Sequence, residues 1–316
     1  MKILFFAPKF YGYCIHIFNY LVQHDNDVDL VNYPDSFLFR LVTTLGGLYC
    51  KPAERMRASY FSKIKDSLGN HYDCIFAIRG SDIPDFFYSF LKEKYPQARY
   101  IQYLWDDVSL DPRSLDTVKY YDKILSFNPT DCKQYGFVFR PFFYNDSIPV
   151  KTENKDIDIM MIGSYTDKRF ALLKQLDHYI KQCGINSLII IRASIFLFLT
   201  KFEHIPYRRY FRSKGVPYSE MLQLLGKSRS CIEICYDGQN GLSTRQFEAL
   251  YTKTKVITNN RNVIEYDFYH PDNVYVLDNE FDFNVPIDWI KKTYHDISKD
   301  ILKKYSLDGF MTDIMA

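Results

Sequence analysis

The sequence predicts an α/β protein made of two doubly wound halves, each a parallel sheet covered by helices. Apolar strand candidates alternate with helical segments along the chain, and one polar stretch without periodicity, "YNDSIPVKTENKD" (144–156), interrupts the alternation. The length of 316 residues is about twice that of a typical domain. A composition of 47% hydrophobic and 25% charged residues suits two globular cores.

The first half contains five strand candidates that are apolar throughout. Such strands, separated by helices, are typical of a parallel sheet buried on both faces. The strands are predicted at 3–6, 28–31, 74–78, 99–105 and 123–127, and the helices at 12–23, 53–68, 83–94 and 112–121.

The second half repeats the alternation and ends in helical segments. The strands are predicted at 157–163, 187–191, 231–235, 255–258 and 274–277, and the helices at 168–182, 218–228, 243–251 and in the last thirty residues. We therefore predict a first domain at 1–150, a second at 151–285, and terminal helices at 286–316 that pack back on the first domain.

Charge and cysteine content exclude several classes of protein. The net charge of +2 is too small for a nucleic-acid footprint, so no nucleic-acid partner is expected. Seven cysteines without a CxxC pair argue against a disulfide framework and for a reducing compartment. The most apolar stretch, 187–200, is interrupted by Arg192 and is too short to span a bilayer. We expect a cytoplasmic protein that carries no signal peptide.

Common catalytic motifs are missing from the loops that follow the strands. The segments "APKFYG" (7–12) and "IGSYTDKR" (162–169) lack the GxGxxG pattern, and no Walker A, HExxH or GxSxG sequence occurs. These absences weigh against dehydrogenases, ATPases, zinc hydrolases and α/β-hydrolases.

One loop and the helix after it carry the clearest candidate site, "GQNGLSTRQFEAL" (238–250). Ser243 or Thr244 can cap the helix, whose free N–H groups favour an anion. Arg245 can bind two phosphate oxygens of a diphosphate. Glu248 lies one turn further, about 5 Å along the axis, where it could hold two ribose hydroxyls. Spacing alone allows an equal alternative, an ion pair between Glu248 and Arg245.

Charged and aromatic residues also follow two strands of the first half. Asp106 and Asp107 end the strand "YLWDD" and could accept a proton or bind hydroxyl groups, while Trp105 could stack on a sugar. Capping of the next segment is an equal alternative for both acids. Arg79 and Asp82 occupy the same place after a neighbouring strand.

A basic and aromatic segment, 201–214, could contact an anionic membrane surface. It contains Lys201, Arg208, Arg209, Arg212 and Lys214 among aromatic residues. The more common explanation for such a segment is a solvated loop.

The candidate loop and the strand behind it, "GLSTRQFEAL…KVITNN", resemble the donor-site signature of GT-B glycosyltransferases. The similar group is the family-4-like and CgeB-like one of capsule and lipopolysaccharide assembly. The resemblance extends to "VPYSEMLQLLGKSRSCIEI", "VIEYDFYHPDNVYVLD" (263–278) and "YYDKILSFNPTDCKQYGFVFRPFFY" (120–144). It is strong at about 100–145 and 215–280, and loose in the first hundred residues.

The resemblance implies a glycosyltransferase whose second domain binds a nucleoside-diphosphate sugar and whose first domain binds a glycan or lipid-linked acceptor, with the reaction in the cleft between them. It implies no metal and no cofactor besides the sugar donor. Asp106 and Asp107 are the catalytic candidates, and Arg79, Asp82 and Trp105 are candidates for the acceptor side. The donor side comprises Gly163, Ser164, Arg169, Arg192, Gln239, Asn240, Gly241, Ser243, Thr244, Arg245 and Glu248.

Two positions depart from the family pattern. Asn240 stands where many retaining members have a second glutamate, which leaves the stereochemical outcome and the sugar open. Lys253 replaces the small residue usual after "EAL". Two alternatives therefore stay open: a nucleotide-sugar epimerase with the same fold, and a non-catalytic sugar-binding subunit of a polysaccharide assembly complex.

Overall fold

The computed structural model describes residues 1–9, 12–47, 50–152, 154–194, 202–236, 238–278 and 283–316, and it divides into two compact units. The first unit comprises 1–141 with 311–316, and the second comprises 142–310. The division falls at 141 instead of 150 because Ile148 and Val150 pack on an apolar cluster of the second unit. Likewise, only the last six residues of the predicted tail, 286–316, belong to the first unit.

The first unit is a six-stranded parallel sheet with the order β2-β1-β3-β4-β5-β6. Its central strands are fully buried, and Phe5 of β1 stacks on Phe76 of β3 at 4.9 Å. The strands are β1 (Lys2–Ala7), β2 (Asp27–Asn32), β3 (Cys74–Ile78), β4 (Arg99–Leu104), β5 (Lys123–Ser126) and β6 (Val138–Phe139). The helices are α1 (Tyr13–Gln23), α2 (Phe37–Gly46), α3 (Lys51–Ile64), α4 (Asp85–Lys94), α5 (Ser114–Thr117) and α6 (Pro129–Tyr135).

The second unit is also a six-stranded parallel sheet, with the order β12-β11-β10-β7-β8-β9. The strands are β7 (Ile157–Ser164), β8 (Ser187–Arg192), β9 (Phe211–Arg212), β10 (Ser228–Glu233), β11 (Lys255–Thr258) and β12 (Val274–Val276). The helices are α7 (Asp167–Cys183), α8 (Tyr218–Gly226), α9 (Thr244–Tyr251), α10 (Ile287–Lys291) and α11 (Lys299–Lys304). A last helix, α12 (Leu307–Met315), begins in the second unit and ends in residues 311–316 of the first.

Strand order reverses once in each sheet, between β1 and β3 in the first unit and between β7 and β10 in the second. In open parallel sheets, ligands bind outside the carboxyl ends of the strands at such a switch point. The loop 234–243 follows β10, so the candidate loop of the sequence lies at the switch point of the second sheet.

The predicted fold class, two doubly wound parallel sheets, is confirmed. The predicted helix at 112–121 is a single α-helical turn followed by a 3₁₀ turn at Val118–Tyr120. Among the α-helices and strands of the described residues, sequence reasoning missed four, and it placed the start of the strand "CIEIC" three residues too late. The missed elements are α2, α6, β6 and β9.

All seven cysteines are free thiols, and only Cys50 and Cys183 are half-buried while the others are buried. Among the described residues, no helix has the length and apolarity needed to cross a bilayer.

Candidate functional site

Arg169 of α7 spans the switch point of the second sheet. Its guanidinium donates to the carbonyl oxygen of Ser164, at the end of β7, at 3.0 Å and to that of Ile234, just after β10, at 3.2 Å. Gly163 lies under the same side chain, and a Cβ atom there would come within 3.4 Å of the Arg169 Nε atom. Because both acceptors are neutral, the positive charge of Arg169 remains available to an anion at this edge of the sheet.

Two asparagines after β11 hold the glycine loop in place. Asn260 donates to the carbonyl oxygen of Gly241 at 3.2 Å, and Asn262 donates to that of Asn240 at 3.0 Å. Gln239 donates to the carbonyl oxygen of Gly241 at 3.1 Å. The predicted loop residues therefore form one ordered structure, anchored by the strand next to β10.

Helix α9 begins without the usual side-chain cap. Ser243 is the N-cap residue and Thr244 the first helical residue, yet the Ser243 hydroxyl makes no capping bond. That hydroxyl oxygen is buried and has no hydrogen-bond partner among the described residues. Gln246, in the first turn, donates instead to Glu233 at the end of β10 at 3.4 Å. The Ser243 hydroxyl is therefore a polar group at this helix start that a ligand or water could pair with.

Glu248 and Arg245 form the ion pair that the sequence left open as an alternative. The Arg245 Nη1 and Glu248 Oε2 atoms are 3.1 Å apart, and Arg245 also contacts the sulfur of Met221. Glu248 is 0% exposed. In this arrangement the carboxylate cannot contact a ribose, and Arg245 faces Glu248. The ribose-binding role of Glu248 and the diphosphate-binding role of Arg245 remain predictions that require this pair to open.

Arg192 lies at the carboxyl end of β8, beside a cavity of about 480 Å³. Ser164 and Tyr165 line the same cavity. Among the described residues no carboxylate lies within ion-pair distance of Arg192, which is exposed. The structure therefore brings Arg192 and Ser164 together at one cavity, and their role in donor binding stays a prediction.

In the first unit, the predicted residues Arg79, Asp82 and Asp106 meet at the carboxyl ends of β3 and β4. Arg79 approaches Asp106 at 3.4 Å and Asp82 at 3.7 Å. Arg57 of α3 joins them, at 3.5 Å from Asp82. Burial raises the pKa of Asp82, and the two arginines oppose that rise. Arg79 has a φ of 60°, a left-handed conformation that costs energy in a non-glycine residue and is common at functional sites.

Asp106 and Asp107 face different environments. Asp106 is partly exposed; burial raises the pKa of its carboxyl, which Arg79 opposes. Asp107 is buried and accepts a hydrogen bond from Asn128 at 2.6 Å. Burial raises the pKa of Asp107 to about 6, against the effect of the Asn128 hydrogen bond. Asp106 is therefore the accessible acid, and Asp107 is a buried neighbour that cannot contact a substrate directly.

Trp105 packs against aromatic rings, at 5.4 Å from Tyr13 and 6.0 Å from Tyr103 between ring centroids. It lies beside Asp106 in the chain, so both follow β4 at the same edge of the first sheet.

The basic segment 201–214 is mostly structured. A 3₁₀ helix covers Phe202–Tyr210, and Tyr207, Tyr210 and Phe211 pack towards the core of the second unit. Arg209 pairs with Asp177. Lys201 lies outside the described residues. Tyr207, Tyr210 and Phe211 therefore pack on the protein itself, and the membrane contact of this segment stays a prediction.

Sequence reasoning missed Arg57, Glu233, Asn260 and Asn262. Glu233 ends a buried strand, and its carboxylate accepts from Thr258 at 3.2 Å. A charged residue inside an apolar strand is a signal that could have identified Glu233. The two asparagines after β11, Asn260 and Asn262, were visible in "TNNRN" (258–262). Arg57 carried no signal, because it lies on an otherwise ordinary helix.

No protein-family model matches the chain, and no curated protein matches it either. Several solved structures are similar to the chain. The Anabaena protein HepE, in complex with UDP and glucose, has a TM-score of 0.59 at 12% identity over 100% of this chain and 99% of that one. An alpha-glucosyltransferase, in complex with UDP and a 13-mer DNA, has a TM-score of 0.54 at 14% identity over 87% and 81%.

A third similar structure is the UDP-N-acetylglucosamine 2-epimerase of Rickettsia bellii, with a TM-score of 0.55 at 7% identity over 100% of this chain and 96% of that one. At such identities the likeness concerns the fold. The chain therefore has the fold that the resemblance implied, GT-B, with two Rossmann-like units.

Proposed function

We propose that the protein is a glycosyltransferase that moves a sugar from a nucleoside-diphosphate sugar to a hydroxyl group of a glycan or lipid-linked saccharide, in bacterial surface polysaccharide synthesis. The observation that carries the proposal is the position of Arg169. Its guanidinium lies across the switch point between β7 and β10, where its acceptors among the described residues are the carbonyl oxygens of Ser164 and Ile234, and it lies 5.7 Å from the centre of the Tyr236 ring. Similar folds solved with UDP support a nucleotide ligand.

The donor diphosphate would lie between Arg169 and the start of helix α9. The buried Ser243 hydroxyl, which has no hydrogen-bond partner among the described residues, would donate to the diphosphate at the start of this helix. Arg192 supplies a second positive charge beside the cavity at Ser164. Positive groups fixed in advance stabilise the charge that develops on a diphosphate leaving group, and we propose that they do so without a metal ion.

Donor binding would also rearrange Arg245 and Glu248. A diphosphate competes with Glu248 for the Arg245 guanidinium, because phosphate oxygens accept two parallel hydrogen bonds from arginine. Once Arg245 turns to the phosphate, the Glu248 carboxylate is free to accept hydrogen bonds from the ribose. Gln239, Asn240 and Gly241 would then contact the transferred sugar from the loop held by Asn260 and Asn262.

On the first unit, Asp106 would accept the proton of the acceptor hydroxyl. In the transfer, the bond between the sugar C1 and the diphosphate oxygen breaks, and a new bond forms from C1 to the acceptor oxygen. Arg79 lies 3.4 Å from Asp106 and favours its ionised form, which is the form that accepts a proton. Trp105 and Asp82 would bind the acceptor saccharide.

A thermal-shift screen against UDP, ADP, GDP, CDP and dTDP, each with and without a sugar, tests the proposal. A donor at a hundred times its dissociation constant should raise the free energy of unfolding by about 2.7 kcal/mol. Arg169→Met should weaken that donor at least about tenfold, since it removes charge-assisted hydrogen bonds. Lys174→Met, on the exposed side of the same helix, is the matched control. Equal donor binding by wild type and Arg169→Met would contradict the proposal.

The epimerase remains the second candidate because one of the similar folds belongs to a UDP-N-acetylglucosamine 2-epimerase. The two functions differ in their need for an acceptor. Incubation of the donor with protein alone, followed by mass spectrometry and NMR, separates them. An epimer formed without acceptor would indicate an epimerase, whereas transfer that depends on an added saccharide and is lost in Asp106→Asn would indicate a transferase. A protein that binds donor without turnover under either condition would fit a non-catalytic subunit.

A further inference from the structure

Five basic side chains surround one cavity of about 340 Å³ in the second unit. These residues lie far apart in the sequence, so no sequence motif predicts that their side chains meet. The basic residues are Lys155, Arg229, Lys253, Lys255 and Lys292, and among the described residues of the lining Asp296 is the only acid. We call this cavity the basic pocket.

The basic pocket lies at the amino ends of three adjacent strands. Lys155 precedes β7, Arg229 is the second residue of β10, and Lys253 and Lys255 lie at the start of β11. All strands of the sheet are parallel, so this edge is opposite the carboxyl edge that carries Arg169. The basic pocket is therefore separate from the proposed donor site.

Three of the five cations have a carboxylate partner. Arg229 lies 3.3 Å from Asp158, Lys253 lies 2.6 Å from Asp296, and Lys292 lies 2.7 Å from Asp272. These pairs are at least partly exposed, where solvent weakens their attraction.

The other two ammonium groups bind neutral oxygens. Lys155 donates to the carbonyl oxygens of Ser228 at 2.8 Å and Thr252 at 3.1 Å, and to the Thr254 hydroxyl at 3.3 Å. Lys255 donates to the carbonyl oxygens of Trp289 and Ile290 at the end of α10. Neither ammonium group has a carboxylate within ion-pair distance among the described residues, although Asp272 is close enough to act on Lys255 electrostatically. The lining, with five basic residues and one acid, carries an excess of positive charge.

The positions of Lys155 and Lys255 carry an energetic cost, which appears as lowered pKa values of both ammonium groups. Burial lowers the pKa of Lys155 to about 8, and Arg229 and Lys253 add to that effect. Burial also lowers the pKa of Lys255 to about 8, with Asp272 opposing and Lys292 and Arg229 adding. In addition, Lys253 has a φ of 50°, a left-handed conformation that glycine adopts more readily. Strain of this kind is common where a side chain has a binding role.

We propose that the basic pocket binds the phosphate group of an anionic ligand. Lys253, Lys292 and Arg229 would contact the phosphate oxygens, and the buried charges of Lys155 and Lys255 would attract it from within. Thr152, Thr293 and Tyr294 add hydroxyl donors to the lining. The cavity volume is at the small end of the range for ligand sites, which fits a diphosphate or a sugar phosphate.

Isothermal titration calorimetry with inorganic pyrophosphate tests this site. Pyrophosphate could also bind beside Arg169, so the titrations use Arg169→Met as the background. In that background, Lys253→Gly with Lys292→Gln should raise the dissociation constant at least about tenfold. The change at 253 suits the left-handed backbone, so this variant should stay folded. Lys303→Gln, an exposed lysine on α11, is the matched control and should bind as the background does.

A vesicle experiment distinguishes a free phosphate compound from a lipid headgroup. Phosphatidylglycerol and phosphatidylcholine vesicles are floated with the same variants. If pyrophosphate does not bind but flotation with phosphatidylglycerol requires Lys253 and Lys292, the phosphate belongs to a lipid. Pyrophosphate binding that the double substitution leaves unchanged overturns the proposal, as does the absence of binding to both probes.

Discussion

Arg245 and Glu248 form an ion pair, 3.1 Å between the Nη1 and Oε2 atoms, in the first turns of helix α9. The side chain of Glu248 is 1% exposed and that of Arg245 is 20% exposed. A buried carboxylate next to one guanidinium is stable as a pair and costly when either member is removed. The pair therefore keeps the two predicted donor-binding residues in a closed arrangement until a ligand competes for Arg245.

The strength of this pair can be measured with a double-mutant cycle. Arg245→Met should lower the free energy of unfolding by about 3 kcal/mol or more, because it leaves the Glu248 charge buried without its cation. Arg245→Met combined with Glu248→Gln should recover part of that loss. Urea unfolding of the four proteins gives the coupling energy. Effects that add within about 0.5 kcal/mol would show that the two side chains are not coupled.

The asparagine anchor of the glycine loop predicts a local effect. Asn262→Ala removes the hydrogen bonds to Asn240, so it should cost about 1 kcal/mol and loosen residues 238–241. Hydrogen exchange should become faster in that loop and stay unchanged in β3. Asn70→Ala, an exposed asparagine of the first unit, controls for the substitution itself. Unchanged loop exchange in Asn262→Ala would refute the anchoring role.

Asp107 predicts a pH dependence of stability. Its folded-state pKa of about 6 lies above the ordinary value of 3.8, so the folded protein binds more protons than the unfolded chain between these values. Stability should therefore fall as pH rises through this window, by roughly 3 kcal/mol at most.

Asp107→Asn should remove that fall. The free energy of unfolding of the variant relative to wild type should increase between pH 4 and pH 6.5 and level off above it. Chemical denaturation at several pH values measures this difference, with Asp116→Asn as the control for loss of one exposed carboxylate. A difference that does not change with pH would disprove the role given to Asp107.

Anion binding at the basic pocket should also depend on pH. Lys155 and Lys255 have pKa values of about 8, so both are mainly charged at pH 7 and mainly neutral at pH 9.5. Arg229, Lys253 and Lys292 surround these two lysines. Hydrogen bonds from Lys292 and Lys253 lower the pKa values of Asp272 and Asp296, so both carboxylates stay ionised over this range.

Sulfate, a dianion throughout this range, is the suitable probe. Its stabilising effect in thermal unfolding should be clearly larger at pH 7 than at pH 9.5, and Lys253→Gly with Lys292→Gln should reduce it at pH 7. A sulfate effect of equal size at both pH values would argue against the two buried lysines.

Apolar strands were the most predictable part of the fold. The strand β11 was predicted at 255–258 and lies at Lys255–Thr258 because its β-branched residues are buried on both faces. The strand β10 was placed too late because Ser228 and Ser230 look unsuited to a buried strand. Each serine hydroxyl has a backbone acceptor, Leu224 for Ser228 and Asp158 for Ser230, both at 2.7 Å. Such partners come from other elements, so the sequence cannot show them.

The site was predictable in its location and less so in its geometry. The position after β10 followed from the alternation of strands and helices. The direction of each side chain could not be predicted in this way. Residues three apart on a helix can face each other or a ligand, as Arg245 and Glu248 illustrate. The sequence could not predict the basic pocket, because Lys155, Arg229 and Lys292 are far apart in the sequence and come together only in the fold.

The distribution of the seven free thiols allows the distance between the two units to be measured without introducing new cysteines. Cys50 lies in the first unit and Cys183 in the second, and both are half-buried whereas the other five are buried. Burial raises the pKa of Cys14, Cys74 and Cys231 to about 12, so these thiols stay protonated and unreactive. Maleimide dyes or spin labels should therefore attach once per unit, and energy transfer or electron spin resonance between them would report how sugar nucleotides change the separation of the two halves.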